Sequence, residues 1–83
     1  MAKVIVYTQP GWFFCGKLKE FLSEKNIQYL ERDVTKDPQA LEELQKLGVM
    51  TTPVTVINGQ LIIGYDPQRI ENAISKLKQN GQN

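Results

Sequence analysis

The residue in this chain best suited to nucleophilic chemistry is Cys15, the only cysteine among 83 residues. It stands in the stretch Gly11-Trp12-Phe13-Phe14-Cys15-Gly16. A thiol near a helix start can be activated by unpaired backbone N–H groups and can attack a disulfide sulfur. One cysteine forms no internal disulfide, and no histidine is present. The commonest general base and the commonest metal ligand are therefore missing, and no metal site is expected. The neighbours of Cys15 are unusual. Trp12, Phe13 and Phe14 lie in a loop between Pro10-Gly11 and Gly16, and loop surfaces seldom carry three adjacent aromatic residues.

The elements around this stretch follow from hydrophobic spacing. Val4 to Tyr7 is a short β-branched run closed by Gln9-Pro10-Gly11, a buried strand and then a turn. Leu18, Phe21 and Leu22 recur at helical spacing and predict an amphipathic helix ending near Asn26. "IQYLERDV" predicts a second strand. Asp37-Pro38 opens a helix with an N-cap residue and then proline; Leu41, Leu44 and Leu47 supply its apolar face, and Gly48 stops it. "PVTVI" and "LIIG" flank Asn58-Gly59, a strong hairpin signal. Asp66-Pro67 repeats the cap-plus-proline device before a third helix marked by Ile70, Ala73, Ile74 and Leu77. The order β-α-β-α-β-β-α predicts an α/β fold: a four-stranded mixed sheet with three helices spread over both faces.

Composition narrows the setting. A chain of this length makes one domain, expected over residues 1–79, with 80–83 a polar tail. A net charge of +1 offers no electrostatic footprint for nucleic acid. No apolar run has the length of a membrane span, and the first residues lack a signal-peptide pattern. A small chain with a single cysteine fits a reducing, cytoplasmic setting.

With these pieces in order, the chain resembles the glutaredoxins, small members of the thioredoxin fold. "VYTQPGWFFCGKLKEFL" resembles the family's first strand, active-site loop and first helix, and "TTPVTVINGQLIIGYD" its Thr-x-Pro turn, hairpin and following glycine. "ERDVTKDPQALEEL" also suits the pattern, so the resemblance covers nearly the whole chain. The family's Cys-x-x-Cys motif falls on positions 12 to 15. Cys15 matches the second, resolving cysteine, and Trp12 stands where the nucleophile belongs.

The resemblance implies thiol–disulfide exchange on protein or glutathione disulfides, with glutathione or thioredoxin reductase as electron donor. In that mechanism the first cysteine attacks and the second resolves the mixed disulfide. A chain holding only the resolving position is expected to lack the activity. Cys15 itself is expected to be a small buried residue one turn inside the helix, with an exposed thiol open to disulfide formation or a glutathione cap as the alternative. Thr51, Thr52 and Pro53 match the family's substrate-facing turn, and the resemblance implies a cis Thr52–Pro53 bond; a proline simply starting an edge-like strand is the alternative. Gly64, Tyr65 and Asp66 match the glutathione-facing turn, although Asp66 also suits a plain N-cap. Gln9 and Pro67 replace a lysine and an acidic residue of the family pattern, which leaves glutathione at most a weak ligand. Lys17 and Lys19 are expected to lie on a solvated helix face, with a bias of the site toward anionic ligands as the alternative.

Two roles compete for the aromatic tripeptide. It can be the altered active site of a redoxin, or an interaction module, since Trp and Phe concentrate at interface cores, with self-association as one form. A blander arrangement turns one or two of the rings inward, Phe14 packing under the first helix. Adjacent helical residues do not share a face, so at least one ring, Trp12 for preference, is expected to be exposed.

Overall fold

The alternation of one strand organises the molecule. In the computed structural model, which describes residues 4–81, β1 (Val4–Thr8) runs through the middle of the sheet. Val4 and Val6 face one way, into a core with Leu18, Leu22, Ile57, Ile62 and Ile70. Ile5 and Tyr7 face the other way, against Leu44, Val49 and Val54. The strand's period of two thus feeds two cores, and helices must cover both. α1 (Phe13–Glu24) and α3 (Pro67–Gly81) take the first face, and α2 (Pro38–Lys46) takes the second. β2 (Leu30–Asp33) pairs parallel to β1, β3 (Val54–Ile57) pairs antiparallel to it, and β4 (Gln60–Ile63) pairs antiparallel to β3. The resulting order is β2-β1-β3-β4, the mixed sheet that the sequence predicts.

Local chemistry sets the joints. Asn26 takes φ +57° after α1, and Ile27 N–H donates to Leu22 C=O at 2.9 Å while Asn26 N–H donates to Ser23 C=O at 3.1 Å. These two bonds form a Schellman ending with asparagine in the left-handed position. Asn58 and Gly59 both have positive φ, as the two-residue hairpin between β3 and β4 requires. Asp37 caps α2 through Gln39 N–H at 3.0 Å.

Three expectations are corrected. The buried face of α2 is Ala40 and Leu44, while Leu41 and Leu47 are 40% and 38% exposed. Ala40 and Leu44 are one helical turn apart and so share a side of α2, and Leu44 packs with Val49; the leucine spacing does not show that a small residue takes the other buried place. β2 is shorter than "IQYLERDV", because Ile27 and Tyr29 pack against the α1–α3 core before the strand begins. α3 continues to Gly81, two residues into the expected tail; residues 82 and 83 lie outside the described residues.

A polar network holds α2 and β2 to β1. Tyr7 Oη donates to Glu43 Oε1 at 3.0 Å, and Arg32 grips the same carboxylate through Nε at 3.1 Å and Nη2 at 2.7 Å. Arg32 Nη1 also lies 3.3 Å from Asp37 Oδ2, the N-cap of α2. The paired fork matches carboxylate geometry. Burial pushes the Tyr7 phenol above its ordinary value, the hydrogen bond to Glu43 and that residue's charge push it further, and Arg32 opposes them.

Two measurements check this packing. Thr55 is fully buried and its Oγ1 has no protein hydrogen-bond partner among the described residues. Replacing it with the isosteric valine, Thr55→Val, is expected to raise unfolding free energy by about 1 kcal/mol in urea titration; an equal loss instead would show that the hydroxyl is used. For Tyr7, the unfolded phenol loses its proton near pH 10 and the folded one later. The associated stability is intact below pH about 10 and falls as pH rises toward the raised value. Ultraviolet titration should show one tyrosine ionising late, and Tyr7→Phe should abolish that step.

Candidate functional site

The strand directions bring three loops to one end of the sheet. β1 leaves at Thr8, β3 enters after Pro53, and β4 leaves at Ile63; the antiparallel pairings place these termini side by side. Gly64 N–H donates to Pro53 C=O at 2.8 Å, with Gly64 at φ +81°. This value is in the left-handed region that favours glycine, so the turn after β4 can fold back on the turn before β3. The Thr52–Pro53 peptide is cis and Pro53 is buried. Thr52 Oγ1 lies 3.5 Å from Gln9 Oε1, which links this turn to the loop after β1. Behind them, buried Thr8 donates its hydroxyl to Glu31 Oε2 at 2.8 Å, and Lys19 donates to the same oxygen at 3.0 Å. That bond to Glu31 raises the Lys19 ammonium above its ordinary value and joins α1 to β2.

The loop after β1 turns through Gly11 at φ +90° and enters α1 at Trp12, the N-cap position. Trp12 has extended backbone, φ −86° and ψ 131°, and its side chain has no oxygen with which to cap. The first turn of α1 carries no acidic residue. Cys15 lies one turn into the helix and is only 3% exposed, the small buried residue that the sequence suggests.

The blander expectation for the aromatics does not hold: none of the three turns inward. Trp12, Phe13 and Phe14 are 58%, 67% and 55% exposed. α1 already covers its sheet face with Cys15, Leu18 and Leu22, and the residues before Cys15 have no core position left. Phe13 and Phe14 pack on each other and, through Phe14, on the opposite turn instead. Phe13 and Phe14 meet edge to face with centroids 5.2 Å apart. Phe14 lies nearly parallel to Tyr65 at 6.5 Å, and Tyr65 meets Phe21 edge to face at 6.3 Å. Lys17 is exposed and sits with Nζ 5.5 Å from the centre of the Phe13 ring.

The structure therefore brings Trp12, Phe13, Phe14, Thr52, Pro53, Gly64 and Tyr65 to one end of the sheet. Asp66 serves α3: its Oδ1 accepts from Arg69 N–H at 3.2 Å, an N-cap. Thr51 is exposed and lines a cavity of about 100 Å³ with Thr52, Gln9, Met50, Leu41 and Val49. Reading the sequence missed Phe21 as a participant, although it follows Phe14 by seven residues and so shares its side of the helix; Lys17 follows Phe13 by four, a pairing distance on any helix. Met50, 82% exposed beside Thr51, left no spacing signal.

The glutaredoxin family model matches residues 4–62, from the first residue of β1 into β4. The chain belongs to the glutaredoxin family. A glutaredoxin-like 8.6 kDa protein encoded in a rubredoxin operon of Clostridium pasteurianum is 33% identical over 72 residues, spanning 86% of this chain and 96% of that one. The crystal structure of the thioredoxin-like protein BC3987 superposes with a TM-score of 0.81 at 36% identity, covering 86% of this chain and 99% of the other. The glutaredoxin-like NrdH-redoxin of Escherichia coli shares the fold, with a TM-score of 0.77 at 22% identity over 83% and 91% of the two chains.

Burial of this glutaredoxin's thiol has a direct readout. Without denaturant, Cys15 is expected to react with a disulfide reagent at least about a hundredfold more slowly than in the unfolded chain, since access requires local opening. Immediate stoichiometric reaction of the folded protein would contradict the burial.

Proposed function

We propose that this chain keeps the binding scaffold of a glutaredoxin without its nucleophile, and does not carry out thiol–disulfide exchange. One observation carries this reading: the N-cap of α1, beside the cis-proline turn, holds the exposed ring of Trp12, while the sole thiol is buried three residues further in. In the family mechanism an attacking thiolate displaces one sulfur of a disulfide and bonds to the other; the departing sulfur leaves as thiolate. An indole offers no such electron pair. Cys15 can resolve a mixed disulfide but cannot reach one to begin. The same loss removes the cysteine that some family members use, with glutathione, to hold an iron–sulfur cluster.

Glutathione remains at most a weak ligand in this reading. Asp66 Oδ1, the acceptor nearest the family's ammonium position in sequence, is engaged by the α3 N-terminus, and no lysine stands at Gln9. A second reading, a binding surface with protein partners or a second copy of the chain, is favoured by the packing of exposed Phe13 and Phe14 with Tyr65, next to exposed Trp12. The two readings are compatible: a site relieved of chemistry can still hold a segment of protein.

The decisive assay couples reduction of a small glutathione mixed disulfide to glutathione. The native chain should give background turnover. Trp12→Cys should raise it at least about tenfold, because the new thiol sits at the helix N-terminus with Cys15 already in place to resolve. Equal turnover by the two proteins would defeat the proposal.

A further inference from the structure

We infer that the aromatic surface at the start of α1 docks a short acidic, apolar segment of a partner protein, held without covalent chemistry. The inference rests on the reading above, that this end of the molecule binds without reacting, and goes beyond it by naming what binds.

Area argues for a short segment. An aromatic side chain presents about 150–250 Å², so at the observed exposures Trp12, Phe13, Phe14 and Tyr65 together offer roughly 400–500 Å². A stable interface takes about 800 Å² from each partner. The patch alone supplies about half of that, too little for a durable pair of globular chains and enough for a few residues of extended or helical peptide. The rings are also in place beforehand. Phe13, Phe14, Tyr65 and Phe21 form an unbroken series of ring contacts from α1 to the turn after β4, so little side-chain freedom is left to lose on binding.

Charge specifies the segment further. From Gln9 to Lys17 the only ionisable side chain besides the buried thiol is Lys17, and Val49 to Pro53 has none. Lys17 is exposed, lies over the Phe13 ring, and has no carboxylate partner among the described residues. Asp66, the one acid in the third loop, is turned to the N-terminus of α3, whose dipole compensates it. The patch therefore presents apolar rings with Lys17 over the Phe13 ring and no ion pair on it; Glu20, the next acid on that stripe, stands a further turn along α1, so this end complements an apolar sequence with an adjacent carboxylate. A second copy of the chain fits poorly. A two-fold contact on this patch would bring two Lys17 side chains toward each other.

Trp12 is the only tryptophan, so the intact protein reports on its own site. The probes are two blocked, cysteine-free peptides, Leu-Glu-Phe-Glu-Leu and Leu-Lys-Phe-Lys-Leu, titrated while Trp12 emission is followed. The acidic peptide should give a saturable blue shift and bind at least roughly fivefold more tightly than the basic one. Lys17→Glu should abolish or reverse that preference, and Phe13→Ala with Phe14→Ala should weaken binding at least about tenfold. Far-ultraviolet circular dichroism checks that these exposed positions leave the fold intact. Equal affinity for both peptides, no binding of either, or concentration-dependent dimerisation lost in Phe13→Ser would each overturn the inference. Because the peptides hold no sulfur, their binding does not depend on the reductase assay. Native turnover with selective peptide binding would defeat only the loss of chemistry, and background turnover with no binding only the docking.

Discussion

Burial of β1 on both faces is the constraint on which the rest depends. A strand whose odd and even side chains both meet a core must lie inside the sheet, with helices above and below. Val4 and Val6 require α1 and α3; Ile5 and Tyr7 require α2. Once β1 is central, its last residue has one exit, and the loop that leaves there must pass the start of β3 and the end of β4. The gathering of three loops is therefore a consequence of topology. Short polar contacts then refine it: Gly64 to Pro53, Thr52 to Gln9, and Thr8 with Lys19 on Glu31.

This arrangement separates the positions that hold the fold from those that face outward. Cys15, Leu18 and Leu22 anchor α1 to the sheet, and Pro53 and Thr8 are buried beneath the site. Trp12, Phe13 and Phe14 lie outside that anchoring row. Substituting exposed positions near a helix start changes little of the core, so the site can diverge while the scaffold stays constant. Cys15 belongs to that buried row, where a thiol packs as a small apolar side chain.

Much of this was legible in the sequence, for identifiable reasons. The elements of β1, the β3–β4 hairpin and α3 announce themselves through β-branched runs, Asn58-Gly59 and Asp66-Pro67, signals that act over a few residues and need no tertiary help. The cysteine's burial followed from its place one turn into α1. The misplaced side chains have one cause, competition for a face. Leu41 and Leu47 look like core residues, yet Ala40 and Leu44 take the buried side of α2. The aromatic rings look too apolar for solvent, yet the inner row of α1 was already filled. Hydrophobicity says that a residue gains from burial; it does not say whether a buried place remains.

That distinction bears on what the rings do. Rings with no place in the core lower their exposure by packing on each other, and edge-to-face pairs such as Phe13–Phe14 gain about 0.5–1.5 kcal/mol beyond area burial. That gain fixes their geometry but leaves more than half of each surface in water. A surface both ordered and incompletely buried has lost side-chain entropy without the full hydrophobic return, so it has more to gain from a ligand than mobile rings would. At this end of the sheet the exposed Phe13 and Phe14 rings, tied to Tyr65, form such a surface beside Trp12.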